Sequence, residues 1–338
     1  MIAFGIREFL PVADENCFTA FSCTVPQPLA GDVLVKVKAV AVNPVDTKVR
    51  AMQTHALETP RILGWDASGE VVAVGEDVTR YRVGDAVYYA GDITRPGCNA
   101  PYQCVDARLV SHKPQRLSFE EAAAMPLTTL TAWEGFERMN MQPGKSILIL
   151  GGAGGVGSIA IQLAKQAGCS VIATASRAET TQWCLDLGAD AVIDHRGDII
   201  EQCRALGYAQ VDAIANFVNT EAYWDMMGEL IAPMGELLLI VEPRTTLRLG
   251  DPLKAKCVSI HWEFMFARSK FQTPDMARQG EILQQTAEWI DAGIIRHTMT
   301  SYLGEMSCES LREAHELLES GRAVGKIVMS VSNHEDED

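Results

Sequence analysis

The alternation of hydrophobic and polar residues changes along the chain and predicts two kinds of region. Before Ser118, short alternating or apolar runs at 34–38, 69–75 and 85–90 are separated by residues typical of turns. A period of two over such lengths predicts β-strands with one buried face. Ser118 followed three residues later by Glu121 predicts a capped helix start, and helical spacing continues over 129–139. The first region is therefore predicted to be rich in β-structure.

From residue 147 onward, aliphatic runs alternate with segments of helical spacing. The runs lie at 147–150, 171–174, 191–193, 213–216 and 237–241, and a sixth apolar run covers 257–266. Continuous aliphatic strands separated by helices are typical of a parallel sheet covered on both faces. We expect an α/β fold with a doubly wound parallel sheet, followed by a long helix over 275–292.

A glycine-rich turn directly follows the first aliphatic run. Gly152, Gly154 and Gly157 have the spacing G-x-G-x-x-G, and the residues after them have helical spacing. In this context the first glycine permits a tight turn, the second lets a pyrophosphate approach the backbone, and the third lets helix pack on strand. We expect a dinucleotide to bind along the residues of this turn, which are Gly152, Ala153, Gly154, Gly155, Val156 and Gly157.

The end of the second strand predicts which dinucleotide binds. An NAD site is expected to carry Asp or Glu here for the ribose hydroxyl, but this chain has Ser176 and Arg177, with no carboxylate before Glu179. A hydroxyl beside a guanidinium suits a 2′-phosphate, because arginine can clamp phosphate oxygens with two hydrogen bonds. The pattern favours NADPH as the cofactor. The alternative is that Arg177 is a solvated surface charge.

Composition excludes several classes of partner. The chain has 338 residues and a formal net charge of −15, which disfavours binding to nucleic acid or an anionic membrane surface. No apolar run approaches the roughly 20 residues of a membrane span. Nine cysteines without a C-x-x-C pair, and a start without signal-peptide features, predict a reduced cytoplasmic protein. The histidines form no zinc-type cluster, so no metal is expected. Residues 333–338 predict an acidic solvated end.

Several segments together resemble one enzyme superfamily. They surround the glycine turn and lie at 41–46, 63–69, 83–87, 126–134 and 325–328. Nearly the whole chain resembles the medium-chain dehydrogenase/reductase superfamily and, within it, the quinone oxidoreductase branch. The narrower similarity, in 259–266 and 271–276, is to bacterial proteins labelled zinc-type alcohol dehydrogenase-like. The resemblance implies a GroES-like β-rich catalytic domain (1–123), a Rossmann NADP(H)-binding domain (124–267), and a return segment that completes the catalytic domain (268–338).

The zinc of that label does not fit the residues. In zinc-dependent members a cysteine stands at the position of Asn43, and a His-Glu pair stands at the position of Trp65 and Asp66. Tryptophan cannot bind zinc, and an amide oxygen is a poor substitute for a thiolate. Without a Lewis acid, ordinary alcohol oxidation is disfavoured. The expected reaction is hydride transfer from NADPH to a quinone or an α,β-unsaturated carbonyl, with fixed hydrogen-bond donors stabilising the anion that forms.

The resemblance also implies roles for individual residues. Asn43 is expected near the nicotinamide ribose and the small-molecule substrate, Asp46 is expected to orient Asn43, and Thr131 is expected close to the cofactor. The alternative is that 43–46 is only a turn sequence. The remaining expected cofactor contacts are Lys326, which is otherwise a solvated charge, His195, which replaces a tyrosine of relatives, and Val241 at the end of the fifth strand.

Three further alternatives concern function, and one concerns assembly. The protein is either an enzyme of this kind, an NADPH-binding structural or regulatory protein with little turnover, or a reductase of another activated carbonyl. RNA binding, known for some relatives, is disfavoured by the negative charge. Because 237–242 and 257–266 are apolar strands and one must form a sheet edge, we expect a homodimer. The alternative is that the helix over 275–292 covers this edge.

Overall fold

The computed structural model describes residues 1–332 and divides into two compact units. Unit 1 contains Met1–Leu130 and the segment that begins at Phe266, and unit 2 contains Thr131–Met265. The acidic end expected at residues 333–338 lies outside the described residues. In the part of the chain that is described, no helix is both long and apolar enough to cross a membrane.

Secondary-structure elements follow one another in an order that changes at the start of unit 2. The first part holds β1 (Ile2–Ile6), β2 (Thr19–Ser22), β3 (Asp32–Val42), α1 (Pro44–Met52), β4 (Arg61–Ile62), β5 (Ala67–Val74), β6 (Ala86–Tyr89), β7 (Tyr102–Asp106), β8 (Val110–His112), α2 (Phe119–Ala123) and α3 (Pro126–Arg138). Strict alternation follows, with β9 (Ser146–Leu150), α4 (Gly155–Gln166), β10 (Ser170–Thr174), α5 (Ala178–Asp186), β11 (Ala191–Ile193), α6 (Ile199–Ala205), β12 (Val211–Asn216), α7 (Thr220–Leu230), β13 (Ile231–Leu239) and β14 (Ser259–Trp262). The chain ends with α8 (Ala267–Phe271), α9 (Arg278–Asp291), β15 (Met299–Glu305), α10 (Cys308–Glu319) and β16 (Lys326–Ser330).

Unit 1 is built around strand β3. Its larger sheet has the order β15-β16-β3-β5-β6-β8, with β7 also paired to β3, and a small sheet has the order β2-β1-β4. Strand β16 runs antiparallel to β3 with Ile327 opposite Val42. This register places Lys326, near the end of the chain, beside the residue that follows β3, which is Asn43.

Unit 2 contains a six-stranded sheet with the order β11-β10-β9-β12-β13-β14, in which every pair is parallel. Numbered along the chain, this is the order 3-2-1-4-5-6 of a doubly wound dinucleotide-binding sheet. The central strand β9 is buried along its whole length because helices cover both faces of such sheets. The expected combination of a β-rich unit and a Rossmann sheet is confirmed.

Several elements have other bounds than the sequence predicts, among them β13, β14, α3 and the long helix expected over 275–292, which is α9 at Arg278–Asp291. Strand β13 begins at Ile231 and ends at Leu239, whereas the aliphatic run predicted 237–241. Strand β14 covers only Ser259–Trp262 instead of 257–266, and its start follows Cys257, whose backbone is left-handed with φ of 51° and so lies outside the β region. Helix α3 begins at Pro126, where proline suits a first helical position.

Candidate functional site

The glycine turn of unit 2 connects the buried strand β9 to helix α4. Gly151 has a φ of +81°, and its N–H donates to Thr174 Oγ1 over 2.9 Å. Gly154 is the N-cap of α4. The first N–H groups of a helix have no intrahelical acceptor, and Gly155 and Val156 are partly exposed. The turn therefore presents free donors and a positive helix end, which together suit a pyrophosphate.

The glycines of this turn are required for different reasons. A Cβ atom on Gly157 would overlap the carbonyl oxygen of Gly151, and one on Gly152 would lie 2.7 Å from the Cβ of Ala173. These two positions allow helix and strands to approach closely. At Gly154 the nearest atom is 3.4 Å from an added Cβ, so this position is open. The space beside Gly154 is where a dinucleotide can approach the backbone.

Ser176 and Arg177 lie at the carboxyl end of β10, as predicted. Arg177 is the N-cap of α5, its side chain is 40% exposed, and it lies 3.8 Å from Glu179 in a loose ion pair. Ser176 is half-buried. Arginine can clamp an anionic group with two hydrogen bonds, and Arg177 stands at the start of a helix, next in the chain to the hydroxyl of Ser176.

The neighbouring strand β11 contributes a residue that the sequence did not single out. His195 is exposed, whereas the Arg196 side chain crosses to β10 and donates from Nη2 to the Ser176 carbonyl over 2.7 Å. Arg196 is also bound to both carboxylate oxygens of Asp194, and these hydrogen bonds lower the pKa of Asp194 to about 2. Ser176 is thus followed in the chain by Arg177 and contacted through its carbonyl by the Arg196 guanidinium.

Val241 lies just beyond β13, at the same edge of the sheet. Its carbonyl accepts a 2.5 Å hydrogen bond from Thr220 Oγ1 at the start of α7. At the end of the adjacent strand β12, Asn216 is fully buried and binds the backbone of Val218 and Asn219. The carboxyl ends of the parallel strands therefore carry all the unit 2 residues predicted to bind the cofactor, apart from Thr131.

A cluster of buried polar residues lies in unit 1 where β3 ends and α1 begins. Asn43 is fully buried, and both ends of its carboxamide are engaged. Its Nδ2 donates to Asp66 Oδ2 over 2.8 Å, and its Oδ1 accepts from Lys326 Nζ over 2.6 Å. The orientation of Asn43 is therefore set by Asp66 and Lys326.

Lys326 and Asp66 form a buried ion pair in this cluster. Lys326 is only 3% exposed, so the alternative that it is a solvated charge is wrong. Its Nζ lies 2.8 Å from Asp66 Oδ2 and also donates to the carbonyl of Val42 over 2.9 Å. The other oxygen of Asp66 accepts from the Leu127 N–H over 2.7 Å. Burial raises the pKa of Asp66, and the adjacent Lys326 ammonium opposes that rise.

Asp46 acts on the backbone of Asn43 and not on its side chain. The Asn43 N–H donates to Asp46 Oδ2 over 2.6 Å. Within the described residues, Asp46 Oδ1 has no hydrogen-bond partner, and burial raises the pKa of Asp46 to about 7. Asp46 was predicted to orient Asn43. The contact that the structure shows holds the Asn43 backbone at the N-cap of α1.

The residues of this cluster do not fit a zinc ion. The Oδ1 of Asn43 and the Oδ2 of Asp66 already accept from the Lys326 ammonium. The Trp65 side chain carries only a donor, and its Nε1 binds the Asp92 carbonyl over 3.2 Å. Residues 1–332 contain no group of three or more His, Cys, Asp or Glu side chains arranged to hold a metal. The cluster therefore lacks the cysteine and histidine ligands that zinc prefers, and its oxygen atoms already bind the Lys326 ammonium.

The predicted catalytic and cofactor residues thus fall into two sets. Unit 1 brings together Asn43, Asp46 and Lys326, while Thr131 is buried in α3 as the first residue of unit 2. Sequence reasoning missed the roles of Asp66 and Arg196. Asp66 follows Trp65 within a motif of the superfamily, and Arg196 directly follows the predicted His195, so position alone could have drawn attention to both.

Comparison with known protein families gives two matches. Residues 29–118 match the alcohol dehydrogenase GroES-like domain, and residues 187–329 match the zinc-binding dehydrogenase family. A zinc-type alcohol dehydrogenase-like protein of Staphylococcus aureus (strain MSSA476) is 42% identical over 338 residues, which cover 98% of this chain and 100% of the relative. The crystal structure of a protein from Rhizobium etli CFN 42 is 43% identical, with a TM-score of 0.93 over 98% of each chain.

More distant relatives include a reductase and an NAD(P)H oxidoreductase. The 2-methylene-furan-3-one reductase of Solanum lycopersicum is 32% identical over 316 residues, 90% of this chain and 73% of the relative. A mitochondrial NAD(P)H oxidoreductase of Danio rerio is 31% identical over 337 residues, 90% of this chain and 85% of the relative. The similarity therefore extends over both units.

Proposed function

Because the chain belongs to the quinone oxidoreductase-like branch of the medium-chain dehydrogenase/reductase superfamily, we propose that it is a zinc-independent oxidoreductase. It transfers hydride from NADPH to a quinone or to an α,β-unsaturated carbonyl. The family accounts for oxidoreductase chemistry with a nicotinamide cofactor. The choice of NADPH and of a conjugated acceptor rests on the residues described above.

One observation carries the proposal. Unit 2 has a dinucleotide turn of the expected geometry, and in unit 1 the residues at the metal-ligand positions are tied to the Lys326 ammonium. A carbonyl or alcohol substrate would lack a Lewis acid in such a site. A conjugated acceptor needs less activation, because the charge formed on hydride addition spreads to an oxygen that hydrogen bonds can stabilise. The tomato relative is named for reducing a conjugated ketone, which agrees with this class of substrate.

NADPH is favoured over NADH by charge at the end of β10. When bound, NADPH supplies the hydride. The chain holds its adenosine end with Ser176 and the two guanidinium groups of Arg177 and Arg196, of which Arg196 is fixed by the Ser176 carbonyl. A 2′-phosphate can accept charge-assisted hydrogen bonds from both arginines, whereas a ribose hydroxyl would gain little from them. The turn from Gly152 to Gly157 holds the pyrophosphate.

Two further features bear on the oligomeric state and the cellular compartment that we propose for the enzyme. Within the described residues the edge strand β14 pairs on one side only and leaves Trp262 exposed, which supports a homodimer in which the sheets of two copies pair. All nine cysteines are free thiols in the described residues, and this supports a reducing compartment such as the cytoplasm.

A substrate screen tests the proposed reaction. The loss of NADPH absorbance is followed with quinones, enals and enones, and in parallel with the saturated aldehydes and ketones of the same carbon skeletons. Turnover of conjugated acceptors but not of their saturated partners is the expected result. Tight NADPH binding without turnover of any acceptor would instead support a structural or regulatory role. Faster turnover of the saturated carbonyls would contradict the proposal.

Zinc independence is tested separately. We expect protein purified without an affinity tag to contain far less than one zinc per chain and to keep its reductase activity in the presence of a chelator, because the donor set is occupied by Lys326. Elemental analysis and activity after chelation give the answer. Stoichiometric zinc, or activity that chelation removes and added zinc restores, would overturn this part of the proposal.

A further inference from the structure

The ammonium of Lys326 is coordinated by protein oxygens in a way that resembles a bound cation. Its three acceptors are the Val42 carbonyl at 2.9 Å, Asn43 Oδ1 at 2.6 Å and Asp66 Oδ2 at 2.8 Å. An ammonium group has three N–H donors, so each donor has one acceptor. A charge this deeply buried is tolerated only when it is paired and fully hydrogen-bonded, and Lys326 meets both conditions.

Lys326 is far in sequence from its three acceptors, of which Val42 and Asn43 are consecutive residues and Asp66 lies 23 positions after Asn43. Val42 ends β3, Asn43 caps α1, and Asp66 precedes β5, whereas Lys326 begins β16. The other oxygen of Asp66 holds the N–H of Leu127 at the start of α3. One cation therefore connects two strands and two helix starts, which is the geometric role that a structural metal ion has elsewhere.

The pairing also fixes which way the Asn43 carboxamide points. Its oxygen faces the ammonium, and its nitrogen faces the Asp66 carboxylate. A flipped amide would place two donors against each other and two acceptors against each other. The remaining Nδ2 hydrogen of Asn43 therefore has one fixed direction.

We propose that the Lys326 ammonium is the resident cation of this site and replaces the metal ion of zinc-using relatives. Lys326 neutralises Asp66 and orients Asn43, so it is a positioning residue and not a ligand for cofactor phosphate. The proposal rests on the geometry of unit 1 alone, and it remains open to test whichever substrate the enzyme reduces.

A double-mutant cycle in thermal stability tests the proposal. Lys326→Met keeps most of the aliphatic side chain but removes the charge, and it leaves the Asp66 carboxylate buried without its cation. We expect the melting temperature to fall by roughly 5 °C or more. Asp66→Asn removes the carboxylate charge, so the double variant is expected to recover about half or more of the loss caused by Lys326→Met.

A matched pair on the surface serves as the control. Lys165 and Asp190 are separated by the same distance, 2.8 Å, but their side chains are 36% and 47% exposed. The cycle with Lys165→Met and Asp190→Asn should show little coupling, because exposed ion pairs contribute little to stability. This control separates charge burial from general effects of replacing lysine and aspartate.

The cycle gives a clear decision even where a variant fails to fold. If Lys326→Met is unfolded and the double variant is folded, the charge pairing is established directly. If the double variant is no more stable than Lys326→Met, or if the two single effects simply add, Lys326 contributes only the packing of its aliphatic stem and the proposal is wrong. A mild effect of Lys326→Met, equal to that of Lys165→Met, would lead to the same conclusion.

Discussion

Arg177 and Arg196 are the two residues whose charge decides the proposed cofactor preference. Replacing either by alanine is expected to raise the NADPH dissociation constant roughly ten-fold or more, since a charge-assisted hydrogen bond contributes about 1.5–3 kcal/mol. Binding of NADH, which has no 2′-phosphate, should change little. Arg196→Ala also leaves the Asp194 carboxylate without its partner, so repulsion adds to the loss. Fluorescence titration with each cofactor measures both constants.

Arg204→Ala is the matched control for this pair of variants. Arg204 is an exposed arginine of α6 that is bound to Glu201 and Glu229, and its removal changes the net charge by the same amount. An unchanged NADPH constant in Arg177→Ala, or a wild-type protein that binds NADH more tightly than NADPH, would show that Arg177 is only a surface charge.

His315 predicts how stability depends on pH. The residue is fully buried, its ring packs edge-on against Phe18 at 4.9 Å, and neither ring nitrogen has a hydrogen-bond partner within the described residues. Burial, assisted by the positive charge of Arg50, lowers the pKa of His315 to about 3. The unfolded chain takes up this proton near its usual pKa of about 6.5. The contribution of neutral His315 to the free energy of unfolding is therefore fully present above about pH 6.5 and is lost as the pH falls towards 3.

Replacing His315 by leucine is expected to remove this part of the acid sensitivity. The difference in unfolding free energy between wild type and variant should change by about 1–2 kcal/mol between pH 7 and pH 5, with wild type losing more on acidification. Urea unfolding at the two pH values measures the difference. The exposed His55, replaced in the same way, is the control. Parallel pH profiles for wild type and His315→Leu would contradict the prediction.

At the level of elements, different glycines of the turn between β9 and α4 serve cofactor binding and packing, so the two roles can be tested separately. Gly154→Ala places a Cβ in open space, 3.4 Å from its nearest neighbour, so the fold should be retained while the backbone becomes less accessible to a pyrophosphate. Gly157→Ala would force α4 away from the turn, since the new Cβ overlaps the Gly151 carbonyl. We expect Gly154→Ala to weaken cofactor binding at nearly unchanged melting temperature, and Gly157→Ala to lower both.

Calorimetry with and without NADPH distinguishes the two variants. Gly31→Ala, in a turn before β3, is the control for the backbone effect of a glycine replacement, since no atom lies within 4 Å of its added Cβ. A Gly154→Ala protein that binds NADPH as wild type does would place the pyrophosphate elsewhere.

The elements of unit 2 could be predicted well because local sequence determines them. A strand buried on both faces must be aliphatic throughout, as residues 147–150 are, and glycine spacing marks where helix and strand approach. Strand β13 was predicted to start too late, because its first half contains Pro233 and Met234, which do not resemble a buried strand. Strand β14 was predicted too long, because its apolar run continues past the point where its ladder with β13 ends.

The candidate site was harder to predict because its contacts are not local. Lys326 and Asp66 are separated by 260 positions in sequence, and only the pairing of β16 with β3 brings them together. No pattern within either segment indicates a buried ion pair, so Lys326 was expected at the cofactor. Arg196 was overlooked for a related reason: its contact with Ser176 depends on the adjacency of β10 and β11.

For the whole molecule, the edge of the unit 2 sheet determines the expected assembly. Strand β14 is the last strand of the sheet order, and within the described residues it pairs only with β13. Trp262 and Phe264 at this edge are 48% and 45% exposed. An apolar strand edge invites pairing with another chain, and a two-fold axis converts that pairing into a closed dimer. Light scattering at micromolar concentration should give about twice the chain mass of 36.9 kDa.

A charge at this edge should abolish the dimer, because two-fold symmetry places each substituted residue near its own copy. Trp262→Asp is therefore expected to give a monomer that still binds NADPH, since the glycine turn belongs to a single chain. Phe271→Asp, at an aromatic residue of α8 that is even more exposed, is the control and should remain dimeric. If the wild type scatters as a monomer and binds cofactor fully, its sheet edge is protected within one chain, and the exposed aromatic residues at β14 require another explanation.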